Sequence, residues 1–439
     1  GHDVFYEMQL QFNDLQPLDK ENDRKLDAFL ADYPFDGFDY ILISVLSKYE
    51  IAGARKLLNA IHQWKQDNKT TAKVVIGGPG VELNVGSANS NFGSDMFAKG
   101  LVDHYIIGEG EVALKELLAN NTTYAGIDGM PPVQIANLDE LPFPNYDYYD
   151  RTKYKYLDSD NPDVFVYGSR GCVRSCAFCD VPFYWPQFRY RSGQNIADEL
   201  IGYWEKYGVK NFFFTDSLVN GSLKAYREMH EAIARHPNLP KFHIAGYAII
   251  RPKNQHPAEL FDMMANTGTH FWSVGVEHGS DAMRFDMRKK FTNEDIDWHL
   301  EQSERIGLDN HWLLMPTWVN EKPEHHQEYL DMFKRWQRYV ASNTIVSLTM
   351  APALSALQST PLTAPNSKYN ISFKSLSTEM QEMLWVNKDN PDLDFAERHR
   401  RAIALWEEAI KYKWPMSEAK IKLLDMKSIV QKTIALTSN

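Results

Sequence analysis

Cysteine is nearly absent from this sequence. Three residues in 439 cannot build a disulfide framework, which points to a reducing, cytoplasmic setting. No apolar run is long enough for a membrane span, and the N-terminus lacks the basic-then-apolar pattern of a secretion signal. Positive charge is not in excess either. The net charge of −11 argues against a protein whose main task is gripping a nucleic-acid backbone, so neither membrane nor nucleic acid is expected as a partner. Low-complexity tracts are missing, and no repeat stands out beyond strand–helix units. The chain opens Gly1-His2 rather than with Met, which reads as a trimmed or replaced N-terminus. What is present is ordinary globular composition, 44% hydrophobic and 24% charged, with length for two or three cores.

The three cysteines lie together. Cys172, Cys176 and Cys179 follow a C-x3-C-x2-C spacing, with Phe178 just before the last, among Gly171, Arg174, Ser175 and Asp180. A four-iron cluster normally takes four thiolates, so three from one loop leave one iron open to a substrate, as in an open zinc site. Other readings stand beside this one. Cys176 and Cys179 could be a redox pair. A Cys3His zinc site would need a distant histidine, the nearest in sequence being His104 and His230. Three inert core cysteines are a third reading, against which the polar neighbours speak.

The fold class read from the chain is α/β: a doubly wound, Rossmann-like sheet, then a partial (β/α)6 barrel, then a small, mostly helical C-terminal region. The boundaries are 1–136, a connector at 137–162, 163–350 and 351–439. In the first part, strands are expected at 40–46, 73–76 and 103–107, with helices at 51–66 and 112–119. The strands end in Gly77-Gly78-Pro79-Gly80 and Gly108-Glu109-Gly110-Glu111, and such sheets bind ligands beyond their carboxyl ends. An earlier strand is hard to find before residue 20. Barrel strands are expected near 164–168, 210–215, 241–247, 270–276, 309–315 and 344–350. Helices are expected at 194–207, 222–235, 257–266, 293–306 and 323–341. Parity on the fourth barrel strand places Ser273, Gly275 and Glu277 on one face and Trp272, Val274 and Val276 on the other. The bulky set should meet the helices, leaving room for a ligand beside Glu277. Trp312, Trp318 and Tyr247 are candidates for a substrate pocket, or for core.

The cysteine spacing with its aromatic resembles the radical S-adenosylmethionine (radical SAM) superfamily. That resemblance implies a site-open 4Fe-4S cluster whose free iron chelates S-adenosylmethionine. One electron then cleaves the cosubstrate to a 5′-deoxyadenosyl radical. It also implies a small-molecule substrate and an external one-electron reductant, flavodoxin- or ferredoxin-like. Gly-Val-Glu-His-Gly-Ser at 275–280, followed by Met287-Arg288-Lys289-Lys290 and Thr292, is similar to the G-I-E-S-G-S … M-x-K-x-x-T stretch of these enzymes. Glu277 is therefore carried over as a cosubstrate contact, the alternative being a solvated strand-end carboxylate; His278 replaces the family's serine. By the same likeness Phe178 joins the cofactor site. Asp216 and Ser217, after the second barrel strand, could meet the cosubstrate ammonium, although Asp216 could equally be a helix N-cap. Arg288 could pair with the cosubstrate carboxylate or be an exposed helix arginine.

The connector Leu138-Asp139-Glu140-Leu141-Pro142-Phe143-Pro144, the Gly-Glu-Gly-Glu turn and Tyr190-Arg191-Ser192 narrow the resemblance to members with an N-terminal cobalamin-binding domain. Ser44, Gly77 and Gly78, with Gly108 and Glu109, stand where that domain meets cobalamin. The ligating histidine of the D-x-H-x-x-G version has no match, so bound cobalamin would be base-off. The resemblance implies cobalamin-dependent methylation of an unactivated carbon. The alternatives are a radical SAM oxidoreductase or cyclase with a degenerate, cobalamin-free domain, and a cluster-bearing sensor, against which the Glu277 stretch argues. Methylthiotransferases would need further cysteines.

Overall fold

The apolar run that begins at Tyr40 is the first strand of a parallel sheet in the computed structural model, which describes residues 37–47, 50–83, 91–148, 163–350, 354, 360–373 and 385–416. The strand sought before residue 20 and anything helical beyond 416 lie outside these residues. Two compact units make up the chain, Gly1–Ala136 with Asn145–Tyr149, and Asn137–Pro144 with Asp150–Asn439.

In the first unit, β1 (Tyr40–Ser44), α1 (Ile51–Asn68), β2 (Lys73–Gly77), α2 (Phe92–Ala98), β3 (His104–Tyr105) and α3 (Gly110–Leu118) alternate. The strands pair in parallel in the order β1-β2-β3. Each crossover carries a helix, as parallel pairing requires. Ala54, Leu57, Leu58 and Ile61 form one buried stripe on α1, packed with Val74 and Ile76 of β2. β3 is shorter than the expected 103–107, because Ile106 pairs antiparallel with Ile127.

The second unit begins with β4 (Asp163–Val166). β5 (Ser169–Arg170) and β6 (Arg189–Tyr190) pair antiparallel, and between them lie the cysteine loop and the short α4 (Val181–Tyr184). Then come α5 (Gly193–Tyr207), β7 (Asn211–Phe214), α6 (Leu223–Arg235), β8 (His243–Ala248), α7 (Ala258–Thr267), β9 (Thr269–Glu277), α8 (Asp281–Asp286), α9 (Asn293–Ile306), β10 (Asp309–Leu314), α10 (Pro323–Arg335), α11 (Gln337–Ala341) and β11 (Ile345–Met350). Six strands pair in the order β4-β7-β8-β9-β10-β11, all parallel. This is the partial (β/α)6 barrel, built by repeated crossovers. The helix expected at 323–341 is two helices, broken at Trp336, whose indole N–H donates to Asp297 at 2.6 Å.

Val164, Phe212, Ile244, Trp272, Trp312 and Leu348 are all buried. Trp272 stacks on His299 of α9 and lies against Tyr226 of α6, so the bulky parity set does face the helices. The opposite face carries Phe165 and Tyr247, both exposed, edge-on to Phe213 from either side. Helix ends follow from their residues. Ser192 caps α5 and Thr292 caps α9 through their hydroxyls, and Gly208 and Gly307 close them in left-handed conformation.

Past the barrel, β12 (Ile371–Phe373) and β13 (Trp385–Asn387) form an antiparallel pair before α12 (Phe395–Lys411), where the sequence predicts mainly helix. The first half of the connector is bound to α5 and its N-terminal turn. Asp139 accepts the Ser192 N–H at 2.8 Å, Tyr203 donates to the Pro144 carbonyl at 2.9 Å, and the Arg191 guanidinium lies 5.2 Å from the Phe143 ring. Two stretches distinctive in the sequence are thus one interface. No helix among the described residues is long and apolar enough to cross a membrane.

Gly268, between α7 and β9, has φ +106, and a Cβ there would stand 1.7 Å from the Phe242 carbonyl oxygen. Gly268→Ala combines left-handed strain with overpacking against backbone and should cost about 2–4 kcal/mol. Chemical denaturation should show it as a lower midpoint for the barrel, and an unchanged midpoint would refute the account.

Candidate active site around the cysteine loop

The cysteine loop has no regular structure of its own and is held by its neighbours. Ala177 donates its N–H to the Met287 carbonyl at 3.1 Å, and its own carbonyl accepts from Leu362 N–H at 2.7 Å. Beneath it, Ala177 packs in an apolar cluster with Met283, Met287, Trp318, Leu362 and Tyr369, against which Phe178 rests. All three cysteines are free thiols; Cys176 is buried and the other two half-buried. Burial raises the pKa of each, that of Cys179 to about 11; repulsion from Cys176 adds to the shifts of Cys172 and Cys179, and the Glu277 carboxylate adds to that of Cys176. Binding to cationic iron would reverse that balance by deprotonating them.

The donor set fits a cluster. Among the described residues no three His, Cys, Asp or Glu side chains converge as one metal ion would require, whereas thiolates that each take a separate iron need not meet at a point. Cations surround the loop, as suits an anionic ligand. The Nε of Arg174 is buried without a hydrogen-bond partner. Arg251 lies close enough to Arg174 and Cys172 to feel both, and burial lowers its pKa to about 10.

Glu277 ends β9 with φ +65. Its carbonyl accepts from Met315 N–H at 2.8 Å and from the Tyr329 hydroxyl at 2.9 Å. Its carboxylate folds back over Gly275, where a Cβ would stand 2.3 Å from Oε1, and Oε1 meets Lys289 Nζ at 2.8 Å. Lys289 also lies 5.7 Å from the Phe178 ring. Burial works against its charge, but the Glu277 carboxylate, with Cys176 and Cys179 as thiolates, outweighs it and holds the pKa above the ordinary lysine value. Buried Arg284 pins the intervening turn, donating to the His278 carbonyl, Asp281, Asn293 and the Phe291 carbonyl. Glu277, Lys289, Phe178 and Cys176 are thereby gathered into one site.

Other sequence candidates fall elsewhere. Asp216 is buried, accepting from Gly168 N–H at 2.8 Å and from the Ser169 hydroxyl at 2.5 Å; burial raises its pKa to about 6 despite these bonds. It is not a helix cap, since Ser222 caps α6. Ser217 is exposed. Arg288 lies beyond α8 at φ +66, its guanidinium beside the Tyr369 hydroxyl. The cation at Glu277 is the next residue, Lys289, which holds the lysine place of the M-x-K-x-x-T pattern. Trp312 is core between Trp336 and Trp414, and Trp318 is buried edge-on to Phe178. Tyr247 alone of the three stays open.

In the first unit, Ser44 is exposed and pairs in register with Gly77, whose missing Cβ has nothing nearer than 3.8 Å. Gly78, at φ +96, leaves its Cβ space to the Val45 carbonyl oxygen, 2.6 Å away. Gly108 donates its N–H to Glu82 at 2.8 Å and sits against Pro132, while Glu109 accepts from Ile135 N–H at 2.9 Å. Ser44 is exposed and Gly77 half-buried; Gly78, Gly108 and Glu109 serve the unit's own turns.

Removing the amine should expose what Lys289 does. Lys289→Met leaves the Glu277 carboxylate largely buried without its cation and should lower stability by about 3 kcal/mol, the lower end of the cost of breaking a buried pair. Lys289→Arg should lose less. Denaturation of the apo chain reads both, and a neutral methionine variant would show the pair to be incidental.

Residues 166–333 match the family description "Radical SAM superfamily". A stretch of 183 residues is 29% identical to cytidylyl-2-hydroxyethylphosphonate methyltransferase of Streptomyces wedmorensis, covering 40% of this chain and 33% of that protein, so the match spans about a third of the relative's length. The structure of the radical SAM methyltransferase TsrM from Kitasatospora setae superposes with a TM-score of 0.58 at 16% identity, over 86% of this chain and 74% of that one. The cobalamin-dependent S-adenosylmethionine radical enzyme OxsB, in a structure with aqua-cobalamin and S-adenosylmethionine bound, gives a TM-score of 0.63 at 16% identity over 93% and 64%. At these identities the two structures speak for the fold. Residues 166–333, with the cysteine loop and the parallel barrel strands they carry, thus match a radical SAM domain.

Proposed function

We propose that the protein is a cobalamin-dependent radical SAM methyltransferase that methylates an unactivated carbon of a small molecule, drawing electrons from an external one-electron donor. The observation that carries this reading is the gathering of a three-thiol loop and the Glu277–Lys289 pair at the carboxyl end of one parallel sheet, where such folds place their chemistry. When bound, the cluster supplies the electron that splits S-adenosylmethionine into methionine and a 5′-deoxyadenosyl radical, and cobalamin supplies a carrier for the methyl group.

The chain's residues hold and orient. Cys172, Cys176 and Cys179 would ligate three irons. Glu277 would accept hydrogen bonds from the cosubstrate, and Lys289 would balance charge between that carboxylate and the thiolates. Asp216, with both carboxyl oxygens on Gly168 and Ser169, fixes the start of the cysteine loop rather than meeting an ammonium. Phe165, Phe213 and Tyr247 give the barrel interior an apolar wall. The methyltransferase relative supports the methylation reading and the cobalamin-containing structure neighbour supports the cofactor; at the carboxyl edge of the first sheet Ser44 is exposed and Gly77 has no side chain to block a large ligand.

Two measurements test it. Anaerobic reconstitution should load about four irons per chain, and replacing Cys172, Cys176 and Cys179 together by Ala should abolish loading; a triple variant that keeps its iron would refute the ligand assignment. The loaded protein, given reductant and hydroxocobalamin, should bind cobalamin stoichiometrically and form S-adenosylhomocysteine along with 5′-deoxyadenosine. If folded protein binds no cobalamin at concentrations on the order of ten micromolar (ΔG° of about −7 kcal/mol), the methyltransferase reading falls. A cobalamin-free radical SAM oxidoreductase or cyclase would replace it.

A further inference from the structure

His278 stands where the family pattern carries serine, and the chain has built a buried network around it. Its side chain is fully buried, 4.2 Å from the Tyr329 ring. Nδ1 accepts the Ser280 backbone N–H at 3.0 Å, so the ring proton resides on Nε2, which donates to Glu321 Oε2 at 3.0 Å. Glu321 is likewise fully buried. Its Oε2 also accepts the Trp318 N–H at 3.1 Å, and Oε1 accepts from Arg401 at 3.0 Å. Arg401, on α12, donates to the Glu321 carbonyl and to Glu397 as well. His326 Nδ1 lies 3.1 Å from Oε1 without hydrogen-bond alignment. Burial pushes Glu321 toward protonation, yet the hydrogen bond from His278, with His326 beside it, holds its pKa below the ordinary range.

A buried carboxylate persists only when countercharge and hydrogen bonds meet it, and this one meets the residue after Glu277. A left-handed non-glycine residue likewise persists only where its surroundings over-determine it. We propose that Glu321 is a positioning residue for Glu277: through His278 it holds the left-handed strand end that presents the Glu277 carboxylate to S-adenosylmethionine, with Arg401 of α12 as its counterion. This rests on Glu277 being a cosubstrate contact.

The test uses the full chain with its cluster reconstituted. Affinity for S-adenosylmethionine is measured by equilibrium dialysis, and the cosubstrate-induced change in the reduced cluster's paramagnetic resonance is titrated in parallel. Glu321→Gln should keep its iron and raise Kd at least about fivefold, the equivalent of one lost hydrogen bond. Glu277→Gln should raise it too, and the double variant should bind no more weakly than Glu277→Gln alone, because the first residue acts only through the second. An effect that merely loosens the fold would add instead. Additive losses, or a Glu321→Gln protein within twofold of the parent, would overturn the proposal while leaving Glu277 in place. Parental affinity in Glu277→Gln would overturn both assignments. Should Glu321→Gln fail to fold, His278→Asn, which leaves the Glu321–Arg401 pair intact, must show the same fivefold loss, and parental binding there refutes the link.

Discussion

Two backbone hydrogen bonds at Ala177 decide where the three cysteines stand. The loop that carries them is neither helix nor strand, so nothing repetitive in its own backbone holds it. The Met287 carbonyl on one side and the Leu362 amide on the other fix its middle. Both partners are themselves tied to Asp286 and its neighbours. The Asp286 carboxylate accepts from the Trp318 indole at 2.6 Å, from Asn320 at 2.9 Å and from Lys368 at 2.6 Å, and its carbonyl accepts from the Tyr369 hydroxyl at 2.6 Å. A disturbance anywhere in this ring of contacts reaches the thiols, because an unpaired buried amide or carbonyl costs more than most side-chain contacts return.

The same economy governs the turn after β9. The chain departs from regular geometry three times within a short span, at Glu277, Arg288 and Lys290, all with positive φ. Each such residue costs about 1–2 kcal/mol, and the cost is offset by buried polar contacts: Arg284 spanning the turn, Tyr329 and Met315 on the Glu277 carbonyl, Lys289 on its carboxylate. Strain and its compensation sit together at the site, as is common where a side chain must be aimed rather than merely buried.

The barrel was largely legible because each unit carries local marks. Apolar strands of even parity, Ser or Thr at helix starts and Gly at helix ends are all short-range signals, and the observed strands fall within about two residues of their expected places. Glu277 was legible by alternation on β9. Lys289 was marked only by the lysine place of the M-x-K-x-x-T pattern, because alternation and helical periodicity both fail across a turn with positive φ on either side of it, and reasoning by charge selects its neighbour Arg288. Asp216 reads as a cap because Asp commonly caps helices; only the fold shows it turned back onto Gly168 and Ser169. Glu321 and Arg401 could not be found from local pattern at all, since their partners are remote in the chain. The β12–β13 pair is short and flanked by polar sequence, so no periodicity marks it.

The grip of Leu362 on Ala177 has a consequence for biogenesis. The amide that completes the loop is synthesised long after the cysteines themselves. At about 5–20 residues per second the delay is on the order of ten seconds or more, during which Cys172, Cys176 and Cys179 have emerged without the clamp that arranges them. The Trp385 ring and α12, which close the same region, come later still. Arrangement of the thiols therefore waits until residue 362 has been made, and a nascent chain, or one truncated before that residue, would present its thiols to the cell as loose, competing ligands rather than as a site.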